Sequence, residues 1–207
     1  MQLDINLIII LIISAISIFA FSRPDILGKM QFNAWQIVHR KEYYRALSYG
    51  LVHGSWIHLL INMFVLWSFG RAVLYYFDSA FDGGVVIRYL ILFISAIVVS
   101  TLSTLNKEKD NPHYNAVGAS GAVSAVVFTS ILFNPYSPIY LFGIIPIPGI
   151  IFGVLYIIYS KHMAGRNIDN IGHDAHYYGA LYGLIFPLFY EPKLAIHFFN
   201  QLISFNF

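Results

Sequence analysis

Six apolar segments decide what this chain can fold into. They cover residues 5–21, 56–77, 85–105, 116–133, 145–160 and 175–190. A helix that crosses a bilayer needs about 20 mostly apolar residues. These segments reach or approach that length; the fourth and sixth are short. Only 11% of the 207 residues are charged, while 58% are hydrophobic. A soluble domain carries about 25% charged residues, so lipid must face much of this surface. The expected fold is all-α: a six-helix transmembrane bundle forming a single domain over residues 1–207.

The formal charge of +2 is too mild to imply a nucleic-acid partner, and the absence of cysteine excludes disulfides and thiolate zinc sites. The first segment reads as a retained helix rather than a signal peptide. Only Asp4 precedes it where a basic leader would stand, and no convincing small-residue cleavage site follows. Pro146 and Pro148 cannot lie inside a regular helix, so the fifth helix should begin near them. The apolar stretch 139–144 then becomes a loop, covered by protein or held at the interface. The connection 22–55 mixes Trp35, Tyr43 and Tyr44 with Arg40, Lys41 and Arg45, which suits the headgroup region. It reads as a partly helical loop lying on the membrane, with the tail from Glu191 at the opposite interface. With the N-terminus inside, most basic residues, including Arg23, Arg45, Lys107 and Arg166, fall in exterior loops. Only Arg71, Arg88 and Lys193 stay within. The positive-inside rule therefore places the N-terminus outside.

Three polar motifs interrupt the apolar segments, and polar groups within a bilayer mark function by default. His58 and Asn62 lie four residues apart, on one helix face. They could donate to one point or simply knit helices together. Gly118-Ala119-Ser120-Gly121 opens the fourth segment. Its glycines would let a backbone approach Ser120, and a serine at a helix start lies near free N–H groups able to receive an oxyanion. The same small residues also suit plain helix packing, Gly118 with Ala122 and Gly121 with Ala125. Ala175-His176 leads into Gly179 and Gly183, a G-x-x-x-G pair. His176 shares the face where a neighbouring helix comes closest, most simply the small-residue face around Ser120. That would bring a general base toward a hydroxyl nucleophile.

Each motif opens an even-numbered segment, and alternate segments enter from one side. His58, Ser120 and His176 therefore share one depth whichever way the chain is oriented, and together they point to hydrolysis. Asp174 lies two residues from His176 and points elsewhere on a helix, so it belongs near the helix cap and a dyad is expected. His173 and His176 could share a metal, but no third ligand is apparent. His53, His113, His162 and His197 read as interfacial. Arg71 and Arg88 lie near segment ends, where they can snorkel.

At these residues the chain resembles the rhomboid intramembrane serine proteases. The resemblance runs from Arg45 through Ser48-Tyr49-Gly50-Leu51-Val52-His53-Gly54 and His58-Leu59-Leu60-Ile61-Asn62 to Gly70. It resumes at Asn115-Ala116-Val117-Gly118-Ala119-Ser120-Gly121 and at Ala175-His176 with Gly179 and Gly183. It implies a six-span bacterial-type core with Ser120 as nucleophile and His176 as general base, then acid. The Ser120 N–H, His58 and Asn62 would stabilise the oxyanion. It also implies no cofactor, transmembrane protein substrates with locally unstable spans, a site opening to the exoplasmic face of the bacterial cytoplasmic membrane, and the N-terminus inside, against the charge count. The chain departs from the pattern at three places. Ser124 stands where an aromatic commonly stacks on the histidine, leaving Tyr177 or Tyr178 to hold His176. Tyr178 replaces a common glycine, and Arg71 and Tyr75 lie where a glutamate is common.

Two other readings use the same residues. A catalytically silent member of the same fold would bind membrane segments without cutting them, although such members usually lack the dyad. A small transporter would use His58, Asn62 and His176 as a polar path. Other intramembrane protease classes fit poorly, since there is no H-E-x-x-H motif and no aspartate pair within the apolar segments.

Overall fold

Asp4 accepts hydrogen bonds from the N–H groups of Asn6 (3.1 Å) and Leu7 (3.3 Å), capping the first helix, α1 (Ile5–Phe21). The structure is a computed structural model describing residues 4–141, 143–164 and 172–204. Arg166, counted above among the loop cations, lies outside them. α1 turns Ile9, Ile13, Ser17 and Ala20 inward at helical spacing, so one stripe is buried and the rest is half-buried or exposed. Two of its polar side chains are also buried. Asn6 Nδ2 donates to the Leu66 carbonyl at 3.0 Å while its Oδ1 accepts from Tyr89 at 2.7 Å. The Ser17 hydroxyl donates to the Leu51 carbonyl at 3.0 Å.

The long connection is partly helical, as expected, with α2 (Pro24–Met30), α3 (Ala34–His39), α4 (Arg45–Ser48) and a 3-10 turn (Tyr49–Leu51). Arg45 holds it together. This buried guanidinium donates to Glu42 at 2.6 Å and to the carbonyls of Gly28 (2.8 Å) and Gln31 (2.9 Å), and such charge-assisted bonds are the stronger class.

The remaining apolar segments all contain helices, with edges that differ from expectation for local reasons. α5 (Trp56–Ala80) is capped by Ser55 and runs three residues further than expected. The third segment divides into α6 (Val85–Val99) and α7 (Leu102–Glu108). At the break, Ser100 and Thr101 turn their hydroxyls back onto the carbonyls of Ile97 and Val98, a bonding pattern that bends helices. α8 (Ser120–Phe133) starts four residues late because Ala116 pairs with Phe32 in a β-bridge and Gly118 adopts a φ of 113°. The stretch before the fifth helix is a hairpin rather than a loop. β1 (Pro138–Leu141) pairs antiparallel with β2 (Ile145–Pro148), Ile139 opposite Ile147. α9 (Gly149–Met163) then starts directly after Pro148, as the prolines required. α10 (His173–Ile185) gives way to a 3-10 turn (Phe186–Phe189) around Pro187, and α11 (Lys193–Ile203) ends the described chain.

α8 is the centre of the bundle, with every residue from Gly121 to Phe133 buried. α5, α6 and α10 pack around it, while Leu60, Phe64, Ile87, Ile94, Leu155 and Ile158 point outward from the surrounding helices and are exposed. α5 and the stretch Val85–Glu108 are long and apolar enough to cross a membrane; α1, α8 and α9 are shorter apolar helices.

Candidate active site

Ser120 is the first residue of α8, so its N–H and those of the next residues lack intrahelical partners. The loop before it is fixed from outside. The Gly118 N–H donates to the Tyr49 carbonyl at 2.9 Å, and Ala116 exchanges backbone bonds with Phe32 at 2.8 and 3.0 Å. The Tyr49 hydroxyl in turn donates to the Ile97 carbonyl, and burial pushes it up to about 12. Gly118 has a second reason to be glycine besides its left-handed φ. A Cβ there would lie 2.8 Å from His58 Nε2, so its bareness lets the imidazole lie against the loop that presents Ser120.

His58 and Asn62 share the α5 face turned toward this loop. Asn62 is buried, and its Nδ2 donates to the His58 carbonyl at 2.9 Å. His176 lies in the first turn of α10, its N–H bonded to the Gly172 carbonyl at 3.1 Å. Ser120, His176, His58, Asn62 and Gly118 all line one cavity of about 1020 Å³. The motifs read separately from the sequence therefore meet around one recess, Ser120 and His58 each at a helix start.

Gly121, Gly179 and Gly183 have a different task, since none of them lines this cavity. A methyl group at 179 would overlap the Gly121 carbonyl, and one at 183 the Ala125 carbonyl. α8 and α10 therefore touch backbone to backbone along the pairing expected of the G-x-x-x-G motif. Thr129 adds a bond to the Gly183 carbonyl at 2.8 Å. Gly121 also receives Ser100 from the α6–α7 break.

Several sequence readings need correction. His53, read as interfacial, is fully buried within the protein, with Nδ1 3.0 Å from Ser17 Oγ and its ring edge-on to His58 at 4.9 Å. Tyr177 and Tyr178 meet each other edge-on, with ring centroids 5.1 Å apart. His176 is met edge-on by His173 at 5.9 Å, and the ring stacked on it is Tyr156 of α9, with centroids 6.0 Å apart and planes 26° apart; the Tyr156 hydroxyl is 2.6 Å from Ser124 Oγ. Sequence reasoning missed Tyr156. The available signal was spacing: Tyr156 and Tyr159 are three apart on one helix, as are His173 and His176 on the next. Asp174 stands in the first turn of α10 and faces Lys107 at 3.5 Å.

Burial, with His58 adding to it, pushes His53 down to about 3. An unfolded histidine takes its proton near pH 6.5, so the native state resists protonation that the unfolded chain accepts. The stability His53 contributes is complete above about pH 6.5 and is lost as pH falls toward about 3, at up to about 1.4 kcal/mol per pH unit. His53→Gln should flatten the fall in Tm between pH 7 and pH 5. An unchanged slope would clear His53 of any part in acid sensitivity.

A family model for the Rhomboid domain matches residues 40–192. The comparison with curated proteins finds no match. Members of the matched family are usually intramembrane serine proteases, and some are inactive. The matched stretch takes in Ser120, His176, His58 and Asn62, most of the cavity lining and most of the apolar core, and it makes this integral membrane protein a member of the rhomboid family.

Proposed function

We propose that this protein is an intramembrane serine endopeptidase that cuts transmembrane segments of membrane-anchored proteins through a Ser120–His176 dyad. The observation that carries this reading is the shared cavity: Ser120, His176, His58 and Asn62 face one recess inside an apolar bundle. His176 takes the proton of Ser120 as the hydroxyl attacks the scissile carbonyl. The tetrahedral intermediate places its negative oxygen among the Ser120 N–H, the His58 ring and the Asn62 amide. His176 then protonates the leaving amine, and water reaching the acyl-enzyme through the cavity releases the second product. No cofactor enters the scheme. The six apolar segments act as six spans, the site opens to the exoplasmic face of a bacterial cytoplasmic membrane, and the N-terminus lies inside.

A serine-reactive phosphonate tests the reading on purified protein. Wild type should become labelled and Ser120→Ala should not. An unlabelled wild type would support a silent, segment-binding member of the family instead. The oxyanion assignment has its own test. Loss of one donor typically lowers kcat about 10²–10³-fold, so Asn62→Ala should retain weak activity and the double variant with His58→Ala should retain less. A double variant at full rate would exclude both side chains from the site.

A further inference from the structure

The dyad reading leaves open what holds the imidazole in place. A general base works only if its ring is held to within about 0.5 Å and 10–20° of the productive geometry. Tyr156 is placed to do this from the fifth apolar segment. Its ring is fixed on two sides, by Phe152 one turn earlier on α9 (5.6 Å, 30°) and by Phe128 on α8 (5.5 Å, 48°). Its hydroxyl is fixed by Ser124 Oγ at 2.6 Å. Ser120, Ser124 and Phe128 follow one another at four-residue steps, so they share one face of α8. The face that presents Ser120 thus also locates the ring that lies on His176. One turn along α9, Tyr159 meets His173 edge-on at 5.5 Å. The two contacts run in opposite order along their helices, so α9 and α10 pack antiparallel in one defined register. An apolar side chain at 156 would fill the same space. A buried tyrosine hydroxyl paired with a serine hydroxyl also sets a direction, since each group requires the other as partner.

We propose that Tyr156 is a positioning residue for His176: stacked on the imidazole and tethered to Ser124, it makes the orientation of the base depend on α9. This rests on the dyad reading above. It implies that drawing α9 away from α8 loosens the base, so access to the bundle and competence for chemistry are linked through one side chain.

A small phosphonate separates positioning from substrate passage, because it needs an activated Ser120 but no displaced helix. In the full-length protein, Tyr156→Ala should slow phosphonate labelling and lower kcat on a transmembrane substrate together, by about 10²-fold, the scale of a misplacement near 1 Å. KM should change little. Tyr156→Phe and Ser124→Ala each break the same hydroxyl–hydroxyl bond, so each should slow labelling several-fold and the double variant no more than either. That cycle also decides the matter if Tyr156→Ala fails to fold. Normal labelling with impaired cleavage in Tyr156→Ala would overturn the proposal and make the ring a substrate contact. Additive effects of Tyr156→Phe and Ser124→Ala would overturn the tether. A wild type that is not labelled would bring down the dyad and this inference together; a labelled wild type with an unaffected Tyr156→Ala would bring down this inference alone.

Discussion

Alanine at Ser120 is expected to lower kcat on a transmembrane substrate on the order of 10⁶-fold, and alanine at His176 to match it. In the proposed dyad the two groups act as a unit. A serine hydroxyl is a weak nucleophile until a base takes its proton, and a base without the hydroxyl has nothing to activate. The double variant should therefore be no slower than either single one. Any residual rate would come from the N–H groups at the start of α8 with His58 and Asn62, which can still polarise a carbonyl. Single-turnover cleavage in proteoliposomes measures this directly. A His176→Ala protein within tenfold of wild type would mean that another group serves as base. Additive losses would mean that Ser120 and His176 act in separate steps.

The second large effect concerns the contact between α8 and α10. Gly179→Ala places a methyl group onto the backbone of Gly121. No flexible side chain can yield there, so the helices must separate. Overpacking of this kind costs typically 1–3 kcal/mol, occasionally more, and about 3 kcal/mol is expected here because the obstacle is main chain. The rate should also fall by about 10²-fold, since Gly121 follows Ser120 directly and Gly179 lies one turn beyond His176. Gly28→Ala supplies the control: a Cβ at that position meets nothing within 4 Å. If Gly179→Ala unfolds at the same temperature as Gly28→Ala and cleaves at the same rate, the close contact is not what holds the two helices in register.

Much of this arrangement could be read in the sequence because membrane chains write their helices in hydropathy. The first segment was legible to both ends, and the prolines marked the start of α9. Glycines at four-residue spacing pointed to the α8–α10 contact because only a bare backbone permits it. The hairpin at 138–148 was not legible. Strands of four residues are too short to show alternation, and Pro146 and Pro148 only say where a helix cannot be. The burial of His53 was not legible either, since its partner Ser17 lies 36 residues away on α1. Tyr156 was invisible for a related reason. Its meaning comes from Ser124 and His176 on two other helices, and the matched three-residue spacing of Tyr156 and Tyr159 with His173 and His176 does not by itself say which helices pair. Ser124 registered only as a missing aromatic, whereas in the fold its hydroxyl anchors the replacement.

The 14 residues of α8 rise about 21 Å at 1.5 Å per residue, against a hydrocarbon layer about 30 Å thick. A helix that short, with no side left for lipid, has no reason to partition into the bilayer by itself. During synthesis it must be admitted beside α5 and the stretch Val85–Glu108, which come earlier and are longer. It is enclosed only once α10, emerging some fifty residues later, closes over Gly121 and Ala125. Ser120 is therefore set in place among the last parts of the molecule to be assembled, and a nascent chain halted before α10 holds Ser120 without the His176 that shares its cavity.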